Sequence, residues 1–257
     1  MSTPFLQIKH LSVDFKGFQV IDDIDLEVAE GELRVIIGPN GAGKTTLMDL
    51  ITGKTKPVSG KIFVGGENIT KKEPAVISSK YKVGRKFQGP NVFDNMTVYD
   101  NILMAVSGHS TVFKTLVFRK TKEIKEQVDE ILGFINLEKE KEILAVNLSH
   151  GQRQWLEIGM VIAQDPKLII LDEPTAGMTA SETYKTGELI LRLAKTGKHT
   201  MLVIEHDMDF VKQIAQTVTV LCQGKFLAEG TYDEIEKNPK VIAVYLNDVG
   251  EEEGAGV

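Results

Sequence analysis

Cysteine is almost missing from this 257-residue chain: Cys222 stands alone, so no disulfide can form within it, and the composition suits a reducing cytosol. Long apolar runs are missing as well. None approaches the roughly 20 residues that cross a bilayer, and Met1 to Phe5 has neither the basic start nor the apolar stretch of a secretion signal. Basic charge is not in excess. With 30 Lys and Arg against 36 Asp and Glu the net charge is -6, so nucleic acid is not an expected partner and no overall attraction to anionic lipid follows. Docking onto a membrane protein stays open. No internal repeat is visible, which leaves one unit of 1–257 and not two fused copies. What is present is ordinary globular material, 42% hydrophobic and 26% charged, ample for a core.

The most informative stretch is Gly38-Pro39-Asn40-Gly41-Ala42-Gly43-Lys44-Thr45-Thr46. It follows the apolar-rich run Leu33–Ile37, which reads as a buried strand, and precedes Leu47–Ile51, which reads as a helix. Small residues let the backbone curl until successive N–H groups face a phosphate, and the helix beginning near Lys44 turns its positive end to the same place. Lys44 is spaced to reach β- and γ-phosphates, and the Thr45 hydroxyl to ligate Mg²⁺.

Around this loop the chain alternates between strand and helix patterns. Phe5–Phe15, Phe18–Ile21 and Ile24–Val28 read as hairpin strands, and Lys61–Val64 as another before the turn Gly65-Gly66. Thr97–Met104 and Lys122–Ile135 have helical spacing. Gly108–Lys120 reads either as an exposed apolar contact surface or as a helix packed on its own subdomain. Leu168–Leu171, Met201–Ile204 and Val218–Leu221 read as strands. Ser181–Ala194 and Met208–Ala215 read as helices, and a capped helix opens at Thr231. The expected division is a nucleotide-binding core of 5–88 and 164–246, a helical insert at 89–163 and an acidic tail at 247–257.

A second group of residues bears on the phosphates. Asp172 and Glu173 end an apolar strand, where ligands of parallel α/β sheets gather. Asp172 can hold the Mg²⁺ water shell beside Thr45, and Glu173 can orient or deprotonate an attacking water. His206 ends the next strand and reads either as a γ-phosphate contact or as a surface or packing residue. Gln88 can bind Mg²⁺ or water through its amide, or be an ordinary polar loop residue. In Leu148-Ser149-His150-Gly151-Gln152, Ser149 is an N-cap, so loop and helix end make a second anion site whose anion the spacing does not identify.

Gly38–Thr45, Gln88, Leu148–Gln152, Leu168–Glu173 and His206, in that order, resemble the ATP-binding subunit of ABC transporters over residues 5 to 246. The resemblance implies an α/β P-loop NTPase of the ABC ATPase type, with a mixed, mainly parallel core sheet, an N-terminal antiparallel β region and a helical insert subdomain. It implies ATP hydrolysis with ATP and Mg²⁺ as cofactors. Two such subunits, identical or different, would close head to tail on ATP. Ser149 and Gly151, beside Gln152, would then meet the γ-phosphate held by the partner's Lys44. Phe15 would stack on adenine, with Phe18 as a weaker candidate and a plain core aromatic as the alternative for both. Glu173 would be the general base and His206 the switch, while Gln88 and the helical insert would relay ATP state to membrane permease subunits. The implied location is peripheral, on the cytoplasmic face of the cell membrane, with a periplasmic or extracellular solute-binding protein as an indirect partner.

Two positions depart from that pattern: His150 stands where glycine is usual and Thr179 where aspartate is usual. The first puts a bulky, titratable ring beside the anion loop; the second bears on coupling between the two sites. With residues 33–38, 84–88, 148–160, 176–179 and 203–208 they resemble one of the ATPase subunits of bacterial urea uptake transporters, relatives of the branched-chain amino-acid importers. Urea import is the activity this implies, with import of branched-chain or other amino acids as an alternative. A soluble ABC ATPase of translation or DNA repair is a further alternative, against which stand the single cassette and the absence of a long coiled coil.

Overall fold

The computed structural model describes residues 4–86, 92–108 and 122–245; Gln88, most of the 108–120 stretch and the acidic tail lie outside the described residues. Two sheets organise the rest. β1 (Leu6–Phe15), β2 (Phe18–Val28), β4 (Ser59–Val64) and β5 (Glu67–Asn68) form an antiparallel sheet in the order β2-β1-β4-β5. In the second sheet β9 (Thr217–Cys222), β3 (Leu33–Ile37), β8 (Thr200–Ile204), β7 (Leu168–Asp172) and β6 (Val83–Lys86) run parallel in that order. β10 (Lys225–Gly230) closes one edge, antiparallel to β9.

The central strands are apolar on both faces because both faces are covered. Leu33, Val35, Ile37, Ile169, Leu171, Met201 and Val203 belong to one core cluster, while Ile36, Leu168, Ile170, Leu202 and Ile204 belong to the other. Each fully buried side chain of this kind contributes roughly 1.5–3 kcal/mol. The first cluster is completed by helices: α3 (Val98–Ser107), α4 (Lys122–Phe134), α5 (His150–Ile162), α6 (Ala180–Lys195) and α7 (Met208–Ile214). The second joins the parallel sheet to the antiparallel one through Leu47, Met48, Leu50 and Ile51 of α1 (Lys44–Ile51). The helix behind the phosphate loop is thereby held on its buried face.

Most elements lie where periodicity expects them. One helix does not announce itself: α2 (Pro74–Tyr81) opens with Pro at its start but buries only Ile77 and Tyr81, too few to make a stripe. Arg34 is a second surprise, a cation buried inside β3. Its guanidinium donates to Glu32 at 2.7 Å, Thr219 Oγ1 at 3.1 Å and the Glu27 carbonyl at 3.1 Å, and it pairs with Glu229 of β10. The charge is tolerated because its donors are met. Another helix, α8 (Tyr232–Glu236), starts with a capping box between Thr231 and Glu234.

Register sets the site. Ile36 pairs with Ile204 and Ile204 with Asp172, so β3, β8 and β7 end at one level. Their following loops, at 38–43, 205–207 and 173–179, therefore leave from the same sheet edge.

Candidate nucleotide site

The loop after β3 needs its glycines for contact reasons that can be read directly. A Cβ on Gly38 would lie 2.0 Å from the Leu221 carbonyl oxygen, and one on Gly43 would lie 2.9 Å from that of Val20. Gly43, at φ 102°, is also the N-cap of α1 and offers no side-chain cap, so the first-turn N–H groups of α1 have no side-chain acceptor there. Lys44 is buried and folds back along the loop, its Nζ donating to the carbonyls of Gly38 at 2.6 Å and Pro39 at 2.8 Å. An amine and a helix N-terminus thus converge on one concavity lined by backbone. Thr45 stands exposed beside them, and Thr46 half-buried.

Across the sheet edge, Asp172 is 1% exposed. Its Oδ2 accepts from Arg85 at 2.9 Å, and the same guanidinium donates to Asp49 of α1 at 2.5 Å. Asp49 also meets Lys54 at 3.0 Å. Asp172 Oδ1 is buried without a hydrogen-bond partner. A carboxylate oxygen in that state is what a hydrated divalent cation requires, and with the hydroxyl of Thr45 the donor set is all oxygen, which suits Mg²⁺.

Glu173 follows at φ 45°, a left-handed conformation that a non-glycine residue adopts at a cost of about 1–3 kcal/mol, and such strain gathers at functional sites. The Glu173 N–H donates to the Ile204 carbonyl at 3.0 Å, which keeps the turn in place. His206 Nδ1 lies 3.9 Å from Glu173 Oε1 and 3.9 Å from Glu205 Oε2. The structure therefore brings Glu173 and His206 together, as their strand positions require. Glu205 is fully buried and accepts from the Thr175 N–H at 3.0 Å, the Thr175 hydroxyl at 2.6 Å and the His206 N–H at 3.2 Å. Burial pushes its carboxyl above the ordinary range, and those hydrogen bonds pull it only part of the way back.

The second anion loop opens α5. Ser149 Oγ accepts from the Gln152 N–H at 3.2 Å, and Gln152 Oε1 accepts from the Ser149 N–H at 3.0 Å, a complete capping box. Ser149 is exposed and Gly151 buried. His150 turns its Nε2 to the Ala176 carbonyl at 2.8 Å; a carbonyl can only accept, so Nε2 carries the hydrogen. Thr179 caps α6 and forms a box with Glu182, the job an aspartate at that position also does. Phe15 and Phe18 face each other across the β1–β2 hairpin, 49% and 73% exposed, which excludes the plain core reading for both. Gln88 lies outside the described residues, two positions beyond the end of β6.

Sequence reasoning passed over three charged groups: Arg85 as the partner of Asp172, Glu205 as the anchor of Thr175, and Glu182. For Glu205 a signal existed, a charge directly after the apolar strand Met201–Ile204; for Arg85, beside Lys86 in a four-residue strand, there was none.

A glycine-rich loop and a cationic amine at a helix start, with a carboxylate pair at the neighbouring strand end, define an ATP-hydrolysing P-loop protein that uses Mg²⁺. The comparisons narrow this. The family described as ABC transporter matches residues 21–176, and the one described as branched-chain amino acid ATP-binding cassette transporter matches residues 227–246. The high-affinity branched-chain amino acid transport ATP-binding protein BraF of Pseudomonas aeruginosa is 36% identical over 96% of this chain and 100% of its own length. The corresponding LivG protein of Escherichia coli (strain K12) is 35% identical over 96% and 100%. A crystal structure of the ADP conformation of an ATP-binding cassette superimposes with a TM-score of 0.84 at 31% identity, over 95% of this chain and 99% of that one. The chain belongs to the ABC transporter family, as one of its ATP-binding cassettes. Membrane permease subunits and a second ATP-binding subunit are the partners typical of that family. Among the described residues no helix is long and apolar enough to cross a membrane.

The expected assignment to urea uptake is overturned. The C-terminal match and the relatives are those of branched-chain amino-acid transport. The residues carrying the urea resemblance sit in or beside β3, β6, β8, α5 and the loops at one sheet edge, in the cassette common to ABC transporters, so they do not single out a solute.

Removing the Arg85 guanidinium takes one of two cationic partners from Asp49 and the ion pair from buried Asp172. Arg85→Met should lower folding stability by about 3–5 kcal/mol, the usual loss when one partner of a buried pair is deleted, and Arg85→Lys should lose less. Urea unfolding monitored by Trp155 fluorescence checks this; midpoints equal to wild type for both would remove the triad as a stabilising element.

Proposed function

We propose that this chain is the ATPase subunit that powers import of branched-chain amino acids through a separate permease, at the cytoplasmic face of the membrane. The observation that carries the solute class is the match at residues 227–246, and full-length similarity to subunits bearing that name supports it. The pair is either two copies or this chain with a second cassette; a solute-binding protein would meet the permease and not this subunit.

Within the site, the N–H groups of Gly41 to Thr46 and the Lys44 amine bind the phosphates, and Phe15, backed by Phe18 across the hairpin, stacks on adenine. Thr45 and Asp172 would hold Mg²⁺, with Gln88 as a further oxygen donor. When bound, the ion neutralises charge on the β- and γ-phosphates. Glu173 takes the proton of the attacking water, and His206, 3.9 Å from it, orients the carboxylate and senses the third phosphate. Ser149, Gly151 and Gln152 complete the site of a paired subunit, because they form the capped start of a helix that opens from an exposed residue, Ser149.

Three outcomes test this. Glu173→Gln should keep ATP binding and lower hydrolysis by roughly 10²–10⁴; turnover near wild type would remove Glu173 as base. Ser149→Arg should stop hydrolysis while a fluorescent ATP analogue still binds, and normal hydrolysis would refute a shared site. Deleting the chain from its host should abolish high-affinity uptake of labelled leucine; retained leucine uptake would overturn the solute reading.

A further inference from the structure

The donors of the second anion loop are already engaged inside the subunit. The Ser149 hydroxyl donates to Glu182 Oε1 at 3.2 Å, and the main chain at Gly151 packs against the same carboxylate. Gly151 approaches it so closely that a Cβ there would lie 2.4 Å from Oε1. The other oxygen, Oε2, accepts from the Thr179 N–H at 3.0 Å and the Thr179 hydroxyl at 2.8 Å. One side chain thus does two things: Oε2 closes the capping box of α6 with Thr179, and Oε1 takes the Ser149 hydroxyl against the main chain at the start of α5.

A hydroxyl plus an amide at a helix start is also the donor pair that a phosphate oxygen would take. We propose that Glu182 is a positioning residue of the second anion loop: its carboxylate occupies Ser149 and Gly151 in the separate subunit and is displaced by the γ-phosphate held on the partner when the pair closes. This rests on the shared-site reading above and deepens it. The Thr179 amide and hydroxyl hold Glu182 below the usual carboxylate range, with Ser149 and Gly151 adding to the effect, so the group is charged at neutral pH. Closure is then an exchange of one anion for another. Two consequences follow. The loop is held in its binding geometry before ATP arrives, and the carboxylate competes with the phosphate, which raises the ATP concentration needed for closure and favours reopening once phosphate leaves.

Glutamine serves at the third position of a capping box as well as glutamate does, so Glu182→Gln keeps the cap and removes the charge. The test uses the full chain with Glu173→Gln, alone and mixed with its companion cassette, and follows association by light scattering as Mg²⁺ and ATP are titrated. Adding Glu182→Gln should lower the half-saturating ATP for association about five- to tenfold, the scale of losing one charge-assisted hydrogen bond. Binding of a fluorescent ATP analogue to the dilute monomer should not change. Glu182→Ala should show the same shift and also a lower melting temperature, because it loses the cap. Association that Ser149→Arg abolishes, yet whose ATP dependence stays within twofold of the parent in both Glu182 variants, would overturn the proposal and leave the shared site standing. No ATP-dependent association in any mixture would overturn the shared site and the proposal with it.

Discussion

Two carboxylates far apart in the chain, Asp49 and Asp172, share one buried guanidinium. Much of the site depends on that arrangement. Asp172 is 1% exposed, and a carboxylate buried that far from water is costly unless a charge and hydrogen bonds compensate it. Arg85 supplies the compensating charge, and its planar fork reaches both acids at once, which a single ammonium could not do with the same geometry. Lys54 meets the second oxygen of Asp49, so two acids face two bases. The balance is local, but the orientation is specific: Oδ2 of Asp172 is taken and Oδ1 is left with no partner. The triad also joins three segments, the helix behind the phosphate loop, the strand running toward Gln88, and the strand ending in the acidic pair.

The turn that follows is held by a different kind of restraint. Glu173 lies at φ 45°, and the residues after it are fastened from the neighbouring strand by Glu205, through the amide and hydroxyl of Thr175. A fully buried carboxylate with a raised pKa is costly to keep, and it is kept where it fixes the turn carrying Glu173 against the turn carrying His206. The two loops are joined through that one carboxylate. This places the proximity of Glu173 and His206 in the backbone and not in a direct contact, since 3.9 Å between them is longer than a hydrogen bond.

The order of strands and helices was legible because burial on both faces leaves uninterrupted apolar runs, as in Leu168–Leu171, and amphipathic helices leave a stripe, as in Lys122–Phe134. α2 was not legible, because two buried residues make no stripe. The phosphate loop, Asp172 and Glu173 were legible because their chemistry depends on short-range spacing. Arg85, Glu205 and Glu182 act on residues remote in sequence, so only the folded chain shows what they touch. The solute was misread for a related reason: nucleotide-side residues are shared by cassettes that serve different solutes, and nothing in them contacts the cargo.

The two departures from the family pattern, His150 and Thr179, looked independent in the sequence, one on the anion loop and one beyond the acidic pair. In the fold they meet at a single junction. His150 reaches the Ala176 carbonyl, and Thr179 orients Glu182, which in turn holds Ser149. Glycine at 150 could not make the first of these links, because it has no side chain. The anion loop and the segment after Glu173 are therefore tied twice, on either side of Gly177, whose α-carbon lies under the His150 ring so closely that a Cβ would come within 3.1 Å of Nε2. The His150 tie ends at Ala176, three residues beyond Glu173. The hydroxyl and amide of Thr179 both serve the carboxylate that connects the anion loop to the segment after Glu173.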